Sequence, residues 1–452
     1  MEDRPARTPL DEWIAGKIGI GRKVSPFLSR DDLDRYHLEK LRGAVDYAKL
    51  NSPFYARLLR GFCGRDLTCL ESVASLPFTT AQDIKDSPLS FLCVSQDEIA
   101  RVVTLTTSGT TGASKRFFFT AEDLELTIDF FHHGMSTLVS PGQRVLILLP
   151  GEKRDSVGDL LKRGLARMDV EGIVHGPVRD VEKALSDVVR FGIDCLVGIP
   201  TQALWMARKG SGSIPAGRVK SVLLSTDYVP RAIVEELGRL WGCPVFSHYG
   251  MTETGLGFAV ECAAVSGHHI READLYVEIV DPVTGLPCAD GRQGEIVFTT
   301  LTRKGMPLIR YRTGDISHFM AERCACGTVL KRLGRIAGRF EGGVHVGKGH
   351  VIAIPDLDEA LFPIPGLINY SVEIVRGGGK DLLLLSLHSI GTVDDGDIAN
   401  AARGAAMTVP DIHEAVTEGS LEVPLPTFTP TNPFTTGVGK RRIVVKETGN
   451  GL

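Results

Sequence analysis

Between residues 144 and 241 the chain alternates short apolar runs with amphipathic stretches, and no other feature limits its fold as much. Apolar runs near 144–149, 193–199 and 219–225 are set among helix-like segments at 156–168, 180–191 and 230–241. Runs this short and this apolar suit strands buried on both faces, and the segments between them are long enough to cross over. The pattern predicts a parallel sheet covered by helices. The texture changes near residue 274, where Leu275-Tyr-Val-Glu-Ile-Val280 and Glu295-Ile-Val-Phe-Thr-Thr300 alternate apolar and polar residues about a turn at Asp281-Pro-Val-Thr-Gly285. Alternation of period two predicts antiparallel, half-exposed strands there.

A loop rich in chemistry precedes this region. Leu105-Thr-Thr-Ser-Gly-Thr-Thr-Gly-Ala-Ser-Lys115 follows the strand-like Arg101-Val-Val-Thr-Leu and is followed by the apolar Phe117-Phe-Phe-Thr120. Gly109 and Gly112 let the backbone approach a polyanion, and Thr107, Ser108, Thr110 and Thr111 add hydroxyl donors beside the single cation Lys115. Such a loop predicts phosphate handling. Its spacing is not that of a P-loop, which needs a hydroxyl residue directly after the lysine; Arg116 stands there. Gly342-Gly-Val-His-Val-Gly347-Lys348-Gly349 has the right glycine spacing but a glycine in place of that hydroxyl, and it reads as a turn-rich hairpin.

Composition excludes more than it identifies. The chain has 452 residues, 23% of them charged and 43% hydrophobic, which is enough for more than one domain. A net charge of −4 predicts no nucleic-acid partner and no attraction to an anionic membrane. The N-terminus lacks an apolar signal region and the longest aliphatic runs are far short of a membrane span, so a cytoplasmic protein is expected. Nine scattered cysteines suit reduced thiols better than a disulfide framework.

The loop ending at Lys115 resembles the pyrophosphate-handling loop of the acyl-adenylate-forming superfamily, the AMP-dependent synthetases and ligases. Three further stretches resemble that superfamily's motifs in the same order: Tyr249-Gly-Met-Thr-Glu253, Tyr311-Arg-Thr-Gly-Asp315 and Gly437-Val-Gly-Lys440. Glu261-Cys, Gly267-His-His-Ile and Cys324-Ala-Cys-Gly327 are similar to segments of its phenylacetate-CoA ligase-like branch. The resemblance implies an α/β fold: a large ATP- and acyl-binding domain over residues 1–335, with layered sheets and an antiparallel portion, and a small mobile α+β lid over residues 336–452. It further implies an enzyme using ATP, Mg²⁺ and coenzyme A on a small carboxylate, an aryl or arylacetic acid being the first expectation. A homodimer is open.

Roles follow residue by residue from the same resemblance. Lys440 would bridge carboxylate and α-phosphate; Glu253 would hold Mg²⁺, with Thr252 beside it as a phosphate donor. Tyr249 and Gly250 would face the adenine, Asp227 would line the adenine pocket, Asp315 would accept from both ribose hydroxyls, and Arg335, with Arg339 as the alternative, would contact the nucleotide. Arg312 is expected to be structural. Read without the resemblance, Lys440 is one charge in the solvated basic run Lys440-Arg-Arg442, and Asp315 closes a turn after Gly314. Relatives carry an acidic pair at the domain junction; this chain reads Gly334-Arg-Ile-Ala-Gly-Arg339, in which Gly338 could absorb a backbone rotation.

Cysteine spacing leaves two readings open, a closed structural zinc site or unrelated buried thiols. For the site, Cys324 and Cys326 would share one turn, with Cys262 and a histidine completing a tetrahedron. His269 matches the branch pattern better than His268. Two alternatives to a CoA ligase also stand: an adenylating enzyme that loads a carrier protein, and a non-catalytic nucleotide-binding relative.

Overall fold

The computed structural model describes residues 8–19, 28–105, 114–377, 379–391, 393–429 and 441–447. The chain divides into two compact units, one of Met1–Gly142, Gly151–Gly172 and Ser247–Ala337, the other of Gln143–Pro150, Ile173–Phe246 and Gly338–Leu452.

The first unit is built on helices with strong N-terminal stops. Thr8, Ser29 and Thr120 each accept from the backbone three residues on, while Asp11, Asp32 and Asp123 reach back, closing capping boxes on Pro9–Lys17, Arg30–Asn51 and Ala121–Met135. Ala121–Met135 packs against Val157–Ala166 at Gly164, where an added Cβ would lie 3.0 Å from the Ile128 carbonyl oxygen, so the contact requires glycine. Strands Ile99–Leu105 and Lys115–Thr120 form an antiparallel hairpin with Leu105 opposite Lys115, and Phe117, Phe118 and Phe119 are buried. The expected phosphate loop is what joins them: Thr107, Ser108, Gly109, Thr110, Thr111 and Gly112 lie outside the described residues.

The antiparallel pairing is where it was expected, but the half-exposed faces are corrected: Gly294–Thr300 is buried throughout, and Leu275–Val280 is buried everywhere except at the half-buried Tyr276. Leu275–Val280 pairs with Gly294–Thr300 in unbroken register, the intervening turn closing on Gly285 (φ 72°), and Gly294–Thr300 pairs in turn with Tyr311–Ser317. A further antiparallel run joins His248-Tyr249, Ala259–Glu261, His268–Ile270 and Arg332–Leu333.

In the second unit Arg144–Ile147, Cys195–Gly198 and Ser221–Leu224 are parallel and buried, covered by Val181–Arg190, Pro200–Lys209 and Arg231–Trp241. Fully buried parallel strands need apolar side chains on both faces, which is why these runs do not alternate. From Gly338, whose φ of 137° favours glycine, the chain adds to this same unit. Leu367–Arg376 lies between antiparallel Asp381–Ser389 and parallel Ile443–Glu447, with helices Ile354–Leu361, Asp395–Ala406 and Pro410–Thr417. Arg208 joins the two segments, its guanidinium donating to the carbonyls of Ile364 (3.0 Å) and Phe362 (3.1 Å). Residues 342–352 form the anticipated hairpin, Val344–Val346 with His350–Ile352. Among the described residues no helix is long and apolar enough to cross a membrane.

Candidate active site

In the first unit Lys115, Glu253 and Tyr311 converge. Lys115 leads its strand inward and its ammonium lies 2.5 Å from Oε1 of Glu253, to which the Tyr311 hydroxyl also donates at 3.3 Å. Glu253 sits in the helical turn Thr252–Thr254, only 6% exposed, and its carbonyl accepts from the Arg303 guanidinium at 2.7 Å. Arg303 stacks over Phe119, 4.9 Å from the ring, and burial pulls its pKa down to about 10. Arg303 thus fixes the Glu253 backbone, and Tyr311 is the bond left to the carboxylate when Lys115 turns to another partner. The cluster is a charge-matched seat in which an arriving polyphosphate would compete for Lys115 and a divalent cation for Glu253.

Tyr249 and Asp315 form the adjoining pair of the motif set, the phenol donating to Oδ2 of Asp315 at 2.7 Å. Local sequence explains the placement of Asp315. Gly314 has φ 75° and donates to Glu295, Arg312 is bonded to the same Glu295, and Thr313 accepts from the Asp315 amide at 3.0 Å. Arg312 is thus structural, as expected. Gly250 cannot carry a side chain: a Cβ would stand 2.1 Å from the Leu256 carbonyl oxygen and 2.5 Å from the His248 ring. Thr252 is half-buried at the head of its turn. Arg335 follows the strand Arg332–Leu333, and its carbonyl accepts from Ser317 at 3.4 Å.

The second unit holds Asp227 on the segment after strand Ser221–Leu224, where Thr226 takes φ 80°, a conformation costly for a branched residue. Arg441 donates to Oδ2 of Asp227 at 3.2 Å and grips Asp358 with both terminal nitrogens, at 2.5 and 2.6 Å. The solvated basic run expected around residues 440–442 is therefore corrected at Arg441, whose side chain is 14% exposed and fully engaged with acids. Lys440 lies outside the described residues. Burial pushes Asp358 up to about 6, against the pull of Arg441.

The four expected metal ligands also come together. Sγ of Cys262 and Cys324 are 3.6 Å apart, Sγ of Cys326 is 3.5 Å from Nε2 of His269, and all four ligand atoms lie within 4.8 Å of one another. Thiolates about 2.3 Å from a tetrahedral zinc stand about 3.8 Å apart, so the donor set fits without rearrangement. The strand puts His269 and not His268 among the cysteines: neighbouring residues face opposite sides, and Nε2 of His268 is bonded to Ser247 at 2.7 Å. The hydrogen bond between Cys326 and Cys262 pulls the Cys262 thiol far down and pushes Cys326 up, so within the pair Cys262 gives up its proton first and Cys326 holds on to its own. Asp129, His132 and His133 also approach one another, but Asp129 is already paired with Lys17 at 3.2 Å and Trp13 at 2.8 Å.

Sequence reasoning missed Arg303 and Asp358, and it quoted Tyr311 and Arg441 only as parts of motifs. Arg303 and Asp358 could not be found from local pattern, because their partners lie at Glu253 and Arg441.

Together Lys115 at the head of its strand, the buried Glu253 and the Tyr249–Asp315 pair suit an adenylate-forming type of enzyme. Comparison with known proteins agrees. The AMP-binding enzyme family matches residues 77–301. The phenylacetate-coenzyme A ligase of Thermus thermophilus is 30% identical over 372 residues, 78% of this chain and 81% of that protein. That of Pseudomonas putida is 29% identical over 380 residues, with the same coverage. A crystal structure of 2-hydroxyisobutyryl-CoA ligase with 2-HIB-AMP shares the fold at a TM-score of 0.79, 20% identity, 93% of this chain and 90% of that one. The chain belongs to the AMP-binding enzymes, among the phenylacetate-CoA ligase-like, AMP-forming acid–thiol ligases.

Proposed function

We propose that the protein activates an aryl or arylacetic acid as its acyl-adenylate, releasing pyrophosphate, and then transfers the acyl group to coenzyme A with loss of AMP. The observation that carries this is the Lys115–Glu253–Tyr311 cluster beside the Tyr249–Asp315 pair, in a chain related over most of its length to phenylacetate-CoA ligases. In this reading Lys115, with the hydroxyls and amides of residues 107–112, meets the leaving pyrophosphate, while Thr252 donates to phosphate oxygens. Tyr249 and Gly250 face the adenine, Asp227 lines its pocket, Asp315 holds the ribose and Arg335 contacts the nucleotide. Lys440 balances the charge that moves onto the α-phosphate as the carboxylate attacks. Magnesium, held by Glu253, would neutralise phosphate charge; the buried carboxylate fits a hard cation.

A zinc ion held by Cys262, His269, Cys324 and Cys326 has no open position in this scheme, and its work is to pin strand His268–Ile270 to the 324–326 turn. Residues 1–335 act as the substrate-binding domain and 336–452 as the lid. Because residues from Gly338 on pack with 173–246, lid motion has to part contacts such as those of Arg208 with the carbonyls of Phe362 and Ile364. Using ATP and coenzyme A, such a ligase works in the cytoplasm; sedimentation reads whether it is a monomer or a homodimer. The deciding test is carboxylate-dependent exchange of pyrophosphate into ATP over a panel of acids, followed by product analysis with coenzyme A and with a phosphopantetheinylated carrier protein. Exchange without any acid dependence would overturn the proposal.

A further inference from the structure

Arg441 has more partners than a surface arginine needs. Its guanidinium makes a two-pronged bond to Asp358, whose side chain is fully buried, and uses its remaining nitrogen on Asp227. Asp358 is also the acceptor for Tyr370 at 2.5 Å, and the guanidinium lies 5.2 and 5.5 Å from the Phe362 and Tyr370 rings. Charge-assisted, forked bonds of this kind fix orientation as well as distance. Next to Asp358 on the same helix, Glu359 accepts from the Tyr228 hydroxyl at 2.8 Å and the Arg231 amide at 3.2 Å. Asp227, next to the strained Thr226, and the residues that follow it are thus held by Arg441 and Glu359, which belong to the segment beyond Gly338.

Such an arrangement is more than is needed to hold a strand. Ile443–Glu447 is already paired along its length with Leu367–Arg376, so the fold does not depend on Arg441 for its register. What Arg441 adds is a bond between the residue that follows Lys440 in sequence and the one expected at the adenine pocket.

We propose that Arg441 is a positioning residue for adenylation: anchored on Asp358, it holds Asp227 in place and ties the chain directly after Lys440 to the nucleotide-lining segment. The proposal rests on the adenylation reading above and adds to it a residue that touches neither substrate nor reacting atoms. Thioester formation from preformed acyl-adenylate needs no such tie.

The test measures the two half-reactions separately, with thermal stability alongside, in wild type, Arg441→Lys, Asp358→Asn and Lys446→Ala. Arg441→Lys keeps the charge and loses the fork. It should lower carboxylate-dependent pyrophosphate exchange roughly tenfold or more, while thioester formation from synthetic acyl-adenylate and coenzyme A stays within about twofold. Asp358→Asn should show the same split, and Arg441→Lys, expected to keep its thermal stability, carries the test if Asp358→Asn folds poorly. Lys446→Ala, which removes a pair with Glu373 on the neighbouring strand, should leave both half-reactions unchanged. Active wild type with unchanged exchange in Arg441→Lys, or with both half-reactions falling in parallel with stability, overturns the positioning role and leaves the ligase reading intact. Wild type with no acid-dependent exchange overturns the ligase reading itself, and this inference with it.

Discussion

The ammonium of Lys115 and the carboxylate of Glu253, 138 positions apart in the chain, meet at 2.5 Å inside the first unit. Neither is a surface group: their side chains are 14% and 8% exposed. Each therefore serves as the other's counter-ion, and in the proposed reaction phosphate and magnesium would take over that role. Glu253→Gln keeps the shape and the Arg303 contact, which uses the backbone carbonyl. It should leave the fold intact while cutting pyrophosphate exchange by about 10²–10³, the scale of losing one electrostatic contact to a transition state. Undiminished exchange at limiting Mg²⁺ would remove Glu253 from the metal site.

Lys440 tests the division of labour between half-reactions. Its ammonium is expected at the attacking carboxylate only while the adenylate forms, so Lys440→Ala should slow adenylation by about 10²–10³ and spare thioester formation from preformed acyl-adenylate. Equal losses in both steps would mark it as structural.

For the cysteine cluster, protein purified without a histidine tag should carry about one zinc per chain by metal analysis, the number a single four-ligand site holds. His269→Ala should release the metal and lower the melting temperature, because Nε2 of His269 faces the thiols. His268→Ala should keep it, since that ring is bonded to Ser247 instead. Cys324→Ser should cost stability more than it alters turnover of the folded fraction. A zinc-free protein of full stability would refute the site.

Which parts could be read in advance follows from the range of the forces involved. The parallel strands at 144–147, 195–198 and 221–224 announce themselves through local apolarity, because burial acts on consecutive residues; the pair 275–280 and 294–300 was legible as antiparallel strands from period two, but its burial on both faces was not. Motif residues such as Glu253 and Asp315 were visible only through their neighbours' identities. The Arg303–Glu253 and Arg441–Asp358 bonds were not visible at all, since a lone arginine or aspartate has no local mark of the partner that buries it. The same limit applies to Arg441, which sequence context places in a solvated basic run. His268 and His269 show the intermediate case: alternation says that they face opposite sides, and the tertiary structure says which side holds the cysteines.

His248 should give the protein a measurable acid sensitivity. The imidazole is buried between Phe130 and Phe131, with ring centroids 6.1 and 6.3 Å away, and burial, with the nearby His268 second, lowers its pKa from 6.5 to about 3. In the unfolded chain the same ring takes up a proton below 6.5, so between 6.5 and about 3 the unfolded state binds more protons than the folded one. Stability contributed by the neutral ring is fully present above 6.5 and is lost as the pH falls, by roughly 1.4 kcal/mol per pH unit from this group. Urea midpoints for wild type should therefore drop steeply between pH 7.5 and pH 5, conditions chosen to bracket roughly the unfolded value. His248→Leu removes the titrating group and should flatten that drop, whatever its stability at neutral pH. Parallel pH profiles for the two proteins would show that His248 is protonated as easily folded as unfolded.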